Sequence, residues 1–365
     1  MLFLNAGDYH GSYESSMKPL RIFVSRRIPD VGIRLLHESG HDISVGSQED
    51  HKGLARGDLC RAVAEADILV SLLTERIDRE LLSLNPRLLG VANMAVGFDN
   101  VDVGAATELG VPIGNTPGVL TDTTADLAWA LILASARRIP QAHNYTLAGR
   151  FEIWRPNLLL GSDVGPGCDA HRKVLGILGY GRIGEAVAKR AQGFDMDVVG
   201  YDPHARAKIE DSPFASWATF EELLERSDYV SLHVPLTDET RHLIGHDQLR
   251  AMKPTAHLIN TSRGPTVDEA ALVEALREGW IAGAGLDVYE NEPELAAGLA
   301  DLDNVVLLPH VGSGTQDARG RMATMTVANA LAFAEGSRAP DTVNPEVYDS
   351  AAYQKRSGSP GVGSS

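Results

Sequence analysis

Three polar side chains in the second half of the chain follow apolar, strand-like segments, at positions where they could act together. Arg263 follows LINTS, Glu292 comes after GAGL, and His310 follows VVLLP. Because ligands bind beyond the carboxyl ends of parallel strands, these side chains can converge on one cleft. An arginine can hold a carboxylate and polarise an adjacent carbonyl, while a histidine backed by a carboxylate can donate a proton near neutral pH. The set therefore suits a substrate that carries a carboxylate beside a carbonyl.

Each of these residues also fits an ordinary structural role when it is taken alone. Arg263 could form a surface ion pair, Glu292 could be an exposed acid, and Asp287, in the same stretch, could cap a turn. A single histidine among 12 is more often a surface or core residue than a functional one. Their joint placement after consecutive strands favours a shared catalytic site.

The segment 173–202 places the glycine pattern G-x-G-x-x-G between an apolar strand and a helix, and its second strand ends on Asp202. Gly179 allows a tight turn, Gly181 lets a pyrophosphate approach the backbone, and Gly184 lets the helix press on the strand. The helix N-terminus attracts phosphate, and the terminal acid can accept hydrogen bonds from a ribose. This context favours dinucleotide binding over the alternative, a glycine-rich turn without a ligand. The predicted cofactor contacts here are Gly179, Gly181, Arg182, Ile183, Gly184 and Asp202.

Alternating helical and strand patterns surround these residues and predict the fold. Residues 17–115 form one α/β unit without a nucleotide loop, and the alternation after Asp202 supplies about six strands to a second sheet. The sequence therefore predicts an α/β protein of two Rossmann-like, doubly wound parallel-sheet domains separated by an active-site cleft. A helix predicted over Asp122–Arg138 is apolar around much of its circumference, so the fold, a second subunit or both should bury it.

Composition limits the partners of the chain. Its 365 residues carry a net charge of −16, which argues against a nucleic-acid surface rich in Lys and Arg. No stretch approaches the roughly 20 apolar residues of a membrane span, and no secretory signal is visible. Cys60 and Cys168 form neither a disulfide framework nor a metal-ligand spacing. We therefore expect a cytoplasmic protein without metal, nucleic-acid or membrane partners.

Several motifs, in order along residues 18–348, resemble the D-isomer-specific 2-hydroxyacid dehydrogenase family. The motifs are AVGFDNVD (95–102), NTPGVLTDTTADLA (115–128), GILGYGRIG (176–184), HVPLTDET (233–240), INTSRG (259–264), GAGLDVYENEP (283–293) and LPHVGS (308–313). The resemblance implies a catalytic triad of Arg263, Glu292 and His310, and a substrate carboxylate bound by the backbone N–H groups of Val96 and Gly97. Further implied cofactor contacts are Pro235, Thr240 and Asp287, of which the last would hold the nicotinamide carboxamide.

The same resemblance implies a particular arrangement of domains along the chain. A substrate-binding domain would be formed by residues 17–116 and 311–348, with an NAD-binding Rossmann domain, 117–310, inserted between them. Residues 1–16 and 349–365 are polar or rich in Ser and Gly, so we expect disordered tails there. Closure of the two domains around substrate is a further expectation.

Within the family, the chain is most similar to the glyoxylate/hydroxypyruvate reductases. The similarity lies in TPGVLTDTTADLA and in the spacing of Trp154, Pro156, Gly161 and Asp163. In that subgroup the matching tryptophan comes from the partner subunit of a homodimer and narrows the substrate pocket. A buried loop anchor is the alternative interpretation of Trp154. The link GPGCDAHR is longer than is usual in the family, so the conformation of the loop 155–172 stays open.

The resulting hypothesis is an NADH-dependent reductase of a small 2-keto acid, glyoxylate or hydroxypyruvate. A reduced nicotinamide would supply hydride, Arg263 would bind and polarise the substrate, and His310 with Glu292 would protonate the new alkoxide. Asp202 should repel the 2′-phosphate of NADP, although Arg206 and the nearby Lys208 leave NADP(H) open. Two alternatives remain: a reductase of a bulkier keto acid such as 2-ketogluconate, or an NAD-sensing interaction protein resembling the co-repressors of this family.

Overall fold

The structure is a computed structural model that describes residues 18–47, 53–158, 160, 165 and 167–357 of the chain. The chain divides into two compact units. Unit 1 consists of Met1–Met94, Val101–Asn115 and Thr324–Ser365, and unit 2 consists of Ala95–Asn100 and Thr116–Ala323. Among the described residues, no helix combines the length and apolar composition that crossing a bilayer requires.

Unit 1 is built on a parallel sheet of short strands with helices from the intervening segments. Its elements are β1 (Arg21–Val24), α1 (Asp30–Glu38), β2 (Asp42–Val45), α2 (Arg56–Glu65), β3 (Ile68–Ser71), α3 (Arg79–Ser83), β4 (Gly90–Asn93), α4 (Val103–Glu108) and β5 (Ile113–Gly114). The strand order is β2-β1-β3-β4-β5, with every neighbouring pair parallel. The apolar runs of β3 and β4 are buried throughout, as strands covered on both faces should be.

Unit 2 contains a larger parallel sheet and the glycine loop. Its strands are β6 (Val174–Leu178), β7 (Asp197–Tyr201), β8 (Ser216–Trp217), β9 (Tyr229–Leu232), β10 (His257–Asn260), β11 (Gly283–Leu286) and β12 (Val305–Leu307). Its helices are α5 (Thr121–Ala136), α6 (Ile139–Leu147), α7 (Arg182–Ala191), α8 (Arg206–Glu210), α9 (Phe220–Arg226), α10 (His246–Ala251) and α11 (Glu269–Arg277). Short 3-10 helices cover Gln192–Phe194 and Gly264–Thr266.

The strand order of unit 2, β12-β11-β10-β9-β6-β7-β8, identifies where a ligand should bind. From β6 the chain first adds β7 and β8 on one side, and it then crosses to β9 and continues on the other side. Ligands of such sheets bind at this reversal of strand order, beyond the carboxyl ends of the strands. The glycine loop follows β6, so it lies at the reversal. The prediction of two α/β domains with parallel sheets is confirmed, and the short β8 is one strand more than the sequence predicted.

The boundary between the units differs from the predicted one at residues 95–100, which belong to unit 2, and again at residue 311. The chain returns to unit 1 only at Thr324, inside α12 (Gln316–Ala334). Residues beyond 311 still bond to unit 2, because Thr124 Oγ1 donates to the carbonyl oxygen of Gly312 at 3.1 Å and Arg321 donates to that of Val119 at 3.3 Å.

The prediction of a disordered tail over 349–365 is wrong for its first part. After a 3-10 helix at Pro345–Asp349, residues Ala351–Ser357 form a helix, α13. Arg356 anchors α13 because its guanidinium donates to the carbonyl oxygens of Asn85, Leu88 and Leu109, at 2.9 to 3.0 Å. The other predicted tail, 1–16, and the end of this one, 358–365, lie outside the described residues.

The apolar helix predicted over 122–138 forms α5, and unit 2 itself buries it. Trp129 Nε1 donates to the carbonyl oxygen of Val187 at 3.1 Å, and the Trp129 ring stacks on Phe194 with centroids 4.5 Å apart. The helix ends at Ala136 because Arg138 has a φ of +49°, which breaks the helical path before α6. A second subunit is therefore not needed to explain the apolar character of α5.

Candidate active site

The carboxyl ends of β10, β11 and β12 lie side by side in the unit 2 sheet. Asn260 pairs with Leu286, and Leu286 pairs with Leu307, so the three strands end at one level. The segments that follow carry the predicted catalytic side chains, Arg263 after β10, Glu292 after β11 and His310 after β12. The parallel register therefore brings residues that are distant in sequence to one edge of the sheet.

Arg263 lies between Gly97 and an acid that the sequence analysis did not single out, Asp99. Its Nε donates to Asp99 Oδ1 at 2.9 Å, and its Nη1 donates to the carbonyl oxygen of Ser262 at 2.9 Å. A Cβ atom at Gly97 would collide with Arg263 Nη2, so only glycine leaves room for the guanidinium there. The structure thus brings the predicted residues Gly97 and Arg263 together, and the half-buried Val96 precedes them in the same turn.

Glu292 and His310 form the hydrogen-bonded pair that the sequence predicts. His310 Nδ1 lies 2.8 Å from Glu292 Oε2, and the backbone N–H of Tyr289 donates to Glu292 Oε1 at 3.0 Å. Burial alone would raise the pKa of Glu292, but the hydrogen bond and charge of His310, with a smaller effect of Arg263, lower it below its usual value. The three predicted catalytic residues therefore follow three adjacent strands at one edge of the sheet, and two of them, Glu292 and His310, are in direct contact.

Asp287 holds the backbone that follows His310. Its side chain is buried, and its two oxygens accept the N–H groups of Val311 at 2.7 Å and Gly312 at 2.8 Å. The backbone N–H of His310 donates to the carbonyl oxygen of Asp287 at 2.9 Å, and His310 has a φ of +54°. Burial raises the pKa of Asp287 despite these bonds. Asp287 therefore fixes the backbone at His310, and its predicted contact with the carboxamide stays a prediction.

The glycine loop after β6 has the geometry that phosphate binding requires. Gly179 has a φ of +90°, and a Cβ atom there would lie 2.7 Å from the backbone of His233. A Cβ atom at Gly184 would collide with the carbonyl oxygen of Gly179, whereas one at Gly181 would meet no atom within 4 Å. Gly181 precedes the first residues of α7, Arg182 and Ile183. An open glycine at a helix N-terminus leaves space for a pyrophosphate beside the backbone N–H groups.

Asp202 follows β7 and is tied to the glycine loop. Its Oδ2 accepts the N–H of Tyr180 at 2.9 Å, and its Oδ1 accepts the N–H of His204 at 2.9 Å. The carboxylate has four lone-pair sites, so these bonds leave capacity for ribose hydroxyl groups.

Two buried polar atoms at neighbouring strand ends have no hydrogen-bond partner among the described residues. They are His233 Nδ1, after β9, and Thr261 Oγ1, after β10. Burial lowers the pKa of His233 to about 3, so its ring is neutral at physiological pH. Unpartnered buried polar atoms are rare in folded proteins and often mark a missing ligand. With the open Gly181, they indicate that this edge of the sheet fits a dinucleotide.

Pro235 and Thr240, also predicted as cofactor contacts, belong to one ordered turn after β9. Thr240 Oγ1 donates to the carbonyl oxygen of Pro235 at 2.6 Å and accepts the N–H of Thr237 at 2.8 Å. Thr240 thus shapes the turn that carries Pro235, and a direct contact of either residue with cofactor stays a prediction.

Trp154 is not a buried anchor, so that alternative interpretation is wrong. Its side chain is 71% exposed. Of the other residues in its predicted motif, Pro156 lies in a turn, while Gly161 and Asp163 lie outside the described residues.

Comparison with known proteins decides the family. The family model for the NAD binding domain of D-isomer specific 2-hydroxyacid dehydrogenases matches residues 129–312, half of the chain. The chain belongs to the D-isomer specific 2-hydroxyacid dehydrogenase family. The matched range contains the glycine loop and all three predicted catalytic side chains. This dehydrogenase therefore binds a nicotinamide dinucleotide, and the predicted family is confirmed.

Individual relatives of this dehydrogenase cover almost its whole length. It is 48% identical over 338 residues to the glyoxylate reductase of Thermococcus litoralis, covering 92% of this chain and 99% of that protein. The glyoxylate reductase of Korarchaeum cryptofilum is also 48% identical, over 91% of this chain and 97% of that protein. Its structure is similar to that of the NADPH-dependent glyoxylate/hydroxypyruvate reductase of Sinorhizobium meliloti in complex with NADP and malonate. That TM-score is 0.77, with 34% identity, over 90% of this chain and 98% of the other.

Asp99, His233 and Thr261 lie at the candidate site of this dehydrogenase, and sequence reasoning did not predict them. Asp99 lies in the motif AVGFDNVD. For this motif, the sequence predicted a role only for the backbone N–H groups of Val96 and Gly97. His233 and Thr261 each directly follow a buried strand, the same signal that identified Arg263. Reading every polar residue at a strand end would have found both of them.

Proposed function

We propose that the enzyme reduces a small 2-keto acid, glyoxylate or hydroxypyruvate, to the 2-hydroxy acid with NADH. The observation that carries the proposal is the arrangement at the ends of β10–β12, where Arg263 lies against Gly97 and His310 is bonded to Glu292. The relatives from Thermococcus litoralis and Korarchaeum cryptofilum are glyoxylate reductases, and this similarity supports glyoxylate as the substrate.

Each side chain has a distinct task in the proposed reaction. Arg263 binds the substrate carboxylate and polarises the adjacent carbonyl, and the backbone N–H groups of Val96 and Gly97 bind the same carboxylate. The reduced nicotinamide supplies the hydride. Because Nδ1 of His310 faces Glu292, its Nε2 donates the proton to the alkoxide oxygen that forms. The Glu292 carboxylate orients the ring and stabilises its protonated form.

We propose NAD(H) rather than NADP(H) as the cofactor. The carboxylate of Asp202 at the end of β7 would repel a 2′-phosphate. Two nearby cations that could offset this repulsion have other partners. Arg206 lies 4.1 Å over the Trp217 ring and 2.9 Å from Glu210, and Lys208 lies 2.8 Å from Glu185.

Initial rates would test both parts of the proposal. NADH and NADPH oxidation are measured with glyoxylate, hydroxypyruvate, pyruvate and 2-ketogluconate, for wild type and for His310→Asn. We expect rapid NADH oxidation by wild type with glyoxylate and hydroxypyruvate. His310→Asn should lose most of its turnover, while its NADH affinity, measured by fluorescence titration, should stay close to that of wild type. A preference for 2-ketogluconate would show that the substrate is a bulkier keto acid. A preference for NADPH would contradict the proposed exclusion of the 2′-phosphate by Asp202. Wild-type rates in His310→Asn would contradict the role of His310 as the proton donor.

We also propose a homodimer, and we propose that unit 1 corresponds to the substrate-binding domain predicted from the sequence. Six of the ten large apolar side chains that are exposed in the described chain lie between residues 139 and 160, which supports a covering partner: Ile139, Leu147, Phe151, Ile153, Trp154 and Leu160. We call these six residues the apolar patch.

We propose a cytoplasmic location for the enzyme. Its two free cysteines, Cys60 and Cys168, support this location, which cell fractionation would test.

A further inference from the structure

The segment 289–296 carries Glu292, and a buried carboxylate outside the triad holds it at two points. Oε1 of Glu269 accepts the backbone N–H of Glu290 at 2.6 Å, and Oε2 accepts the backbone N–H of Ala296 at 3.2 Å. The two bonds lie on either side of Glu292 in the chain. Glu269 therefore fixes both ends of the loop whose middle presents the carboxylate to His310.

Helix α11 explains why Glu269 can hold this segment. Asp268 is the N-cap, accepting the N–H of Ala271 at 3.0 Å, and Glu269 is the first helical residue. Its side chain points into the protein and is only 3% exposed. An apolar residue would cost less to bury there, because a buried carboxylate loses its hydration. The two loop N–H groups are what compensate for that loss.

The held segment also lies directly against the loop of the catalytic arginine. A Cβ atom at Gly264, the residue after Arg263, would collide with the backbone of Tyr289. At the other side, Glu290 Oε1 lies 2.6 Å from His242 Nε2. The segment thus contacts the residue after Arg263 on one side and His242 on the other, and a small displacement of the segment would change the distance of 2.8 Å between Glu292 Oε2 and His310 Nδ1.

We propose that Glu269 is a positioning residue, which holds the 289–296 segment so that Glu292 faces His310 Nδ1. It touches neither substrate nor cofactor in the proposed reaction and acts only through Glu292. The inference rests on the proposed function for its kinetic consequence, whereas the geometric consequence, a changed Glu292–His310 contact, does not depend on any substrate.

The isosteric substitution Glu269→Gln tests this inference. A glutamine amide can accept one of the two N–H bonds, but it turns an NH₂ group toward the other donor. We expect kcat to fall about 10- to 100-fold, since a displacement near 1 Å at a catalytic group can cost about 100-fold. KM for the keto acid should change less. The pH profile of kcat should shift toward that of Glu292→Gln, because the carboxylate that faces the His310 ring is displaced.

Two controls separate positioning from a general loss of structure. Asp268→Ala removes the cap of the same helix without touching the 289–296 segment, so its pH profile should match that of wild type. Adding Glu269→Gln to a Glu292→Gln enzyme should have little further effect, because the residue through which it acts is already altered. An equal shift of the pH profile in Asp268→Ala, or fully additive losses in the double variant, would overturn the proposal.

A substrate-free measurement keeps this inference apart from the proposed reaction. NMR spectra of ¹⁵N-labelled histidine rings at one pH, with His310 assigned from His310→Asn, compare the hydrogen bonding of His310 Nδ1 in wild type, Glu269→Gln and Glu292→Gln. We expect the Nδ1 signal of His310 in Glu269→Gln to move toward that in Glu292→Gln. If Glu269→Gln does not fold, Glu269→Asp, which retracts the carboxylate by one methylene, should give the same direction. An unchanged Nδ1 signal of His310 in a folded variant would overturn the role of Glu269, even where no keto acid is reduced.

Discussion

The guanidinium of Arg263 occupies space that only a glycine at residue 97 can leave open. A methyl group there would collide with Nη2, so Gly97→Ala should displace the guanidinium of Arg263 from the position that it holds beside Asp99. We expect kcat/KM for the keto acid to fall about 100-fold, the scale of a 1 Å displacement at a catalytic group. NADH affinity, measured by fluorescence, should change little because the glycine loop is untouched.

Gly104→Ala provides the matched control for this substitution. A Cβ atom at Gly104 in α4 would make only an ordinary contact, 3.7 Å from Asp102 Oδ1, and alanine favours the helix. Its kcat/KM should equal that of wild type. If Gly97→Ala kept full activity as well, Arg263 would not need its observed position for substrate binding.

The carboxylate of Glu292 should also leave a signature in stability against pH. Its pKa in the folded enzyme is lowered, chiefly by His310 against the opposing effect of burial, so its ionised form stabilises the fold. Such a contribution is present above the unfolded pKa, about 4.3, and is lost as the pH falls through the folded value. Urea unfolding of wild type and Glu292→Gln should therefore differ at pH 7 and converge toward pH 3. The exposed Glu294→Gln is the control, and a difference that persisted at pH 3 would contradict this linkage.

At the scale of elements, local patterns predicted most strands and helices, while distant contacts decided the rest. The strand β6 and the glycine loop after it could be predicted from the sequence, because their conformations depend on residues that are close together in the chain. Asp99 was missed because its importance depends on Arg263, 164 residues away. The helix α13 was missed because a serine- and glycine-rich composition says nothing of an anchor such as Arg356, whose partners lie far back in the chain.

The anchor of α13 leads to a prediction about the stability of unit 1. Arg356 donates three hydrogen bonds to main-chain carbonyl oxygens, and a charged donor contributes about 1.5 to 3 kcal/mol per bond at most sites. Because water can replace part of these bonds, we expect Arg356→Ala to lower the free energy of unfolding by about 2 kcal/mol. Lys355→Ala, an exposed neighbour on the same helix, should change it by less than about 0.5 kcal/mol. Urea unfolding measures both, and equal losses would assign the effect to the helix rather than to Arg356.

For the whole molecule, the question is what covers the apolar patch between residues 139 and 160. The structure moves the argument for a dimer from α5, which unit 2 buries, to this patch, whose Leu147 and Ile153 are 73% and 74% exposed. Exposed apolar side chains gathered in one stretch of chain favour association, since covering them removes apolar area from water. Sequence periodicity could not make this distinction, because it reports that a helix face is apolar and not which neighbour covers it.

The assembly can be measured directly, and its link to activity separates a contact surface from a functional one. Light scattering should give wild type twice the chain mass of 39.1 kDa, and Leu147→Asp/Ile153→Asp should give a single chain. Leu84→Asp, an exposed leucine outside the apolar patch, should leave the dimer intact. If Trp154 narrows the substrate pocket of the partner subunit, then Trp154→Ala should remain dimeric but have a higher KM for glyoxylate. The single-chain variant Leu147→Asp/Ile153→Asp should show the same rise in KM. A wild-type enzyme of single-chain mass would refute the dimer, whereas an unchanged KM in a dimeric Trp154→Ala would confine this residue to the contact surface.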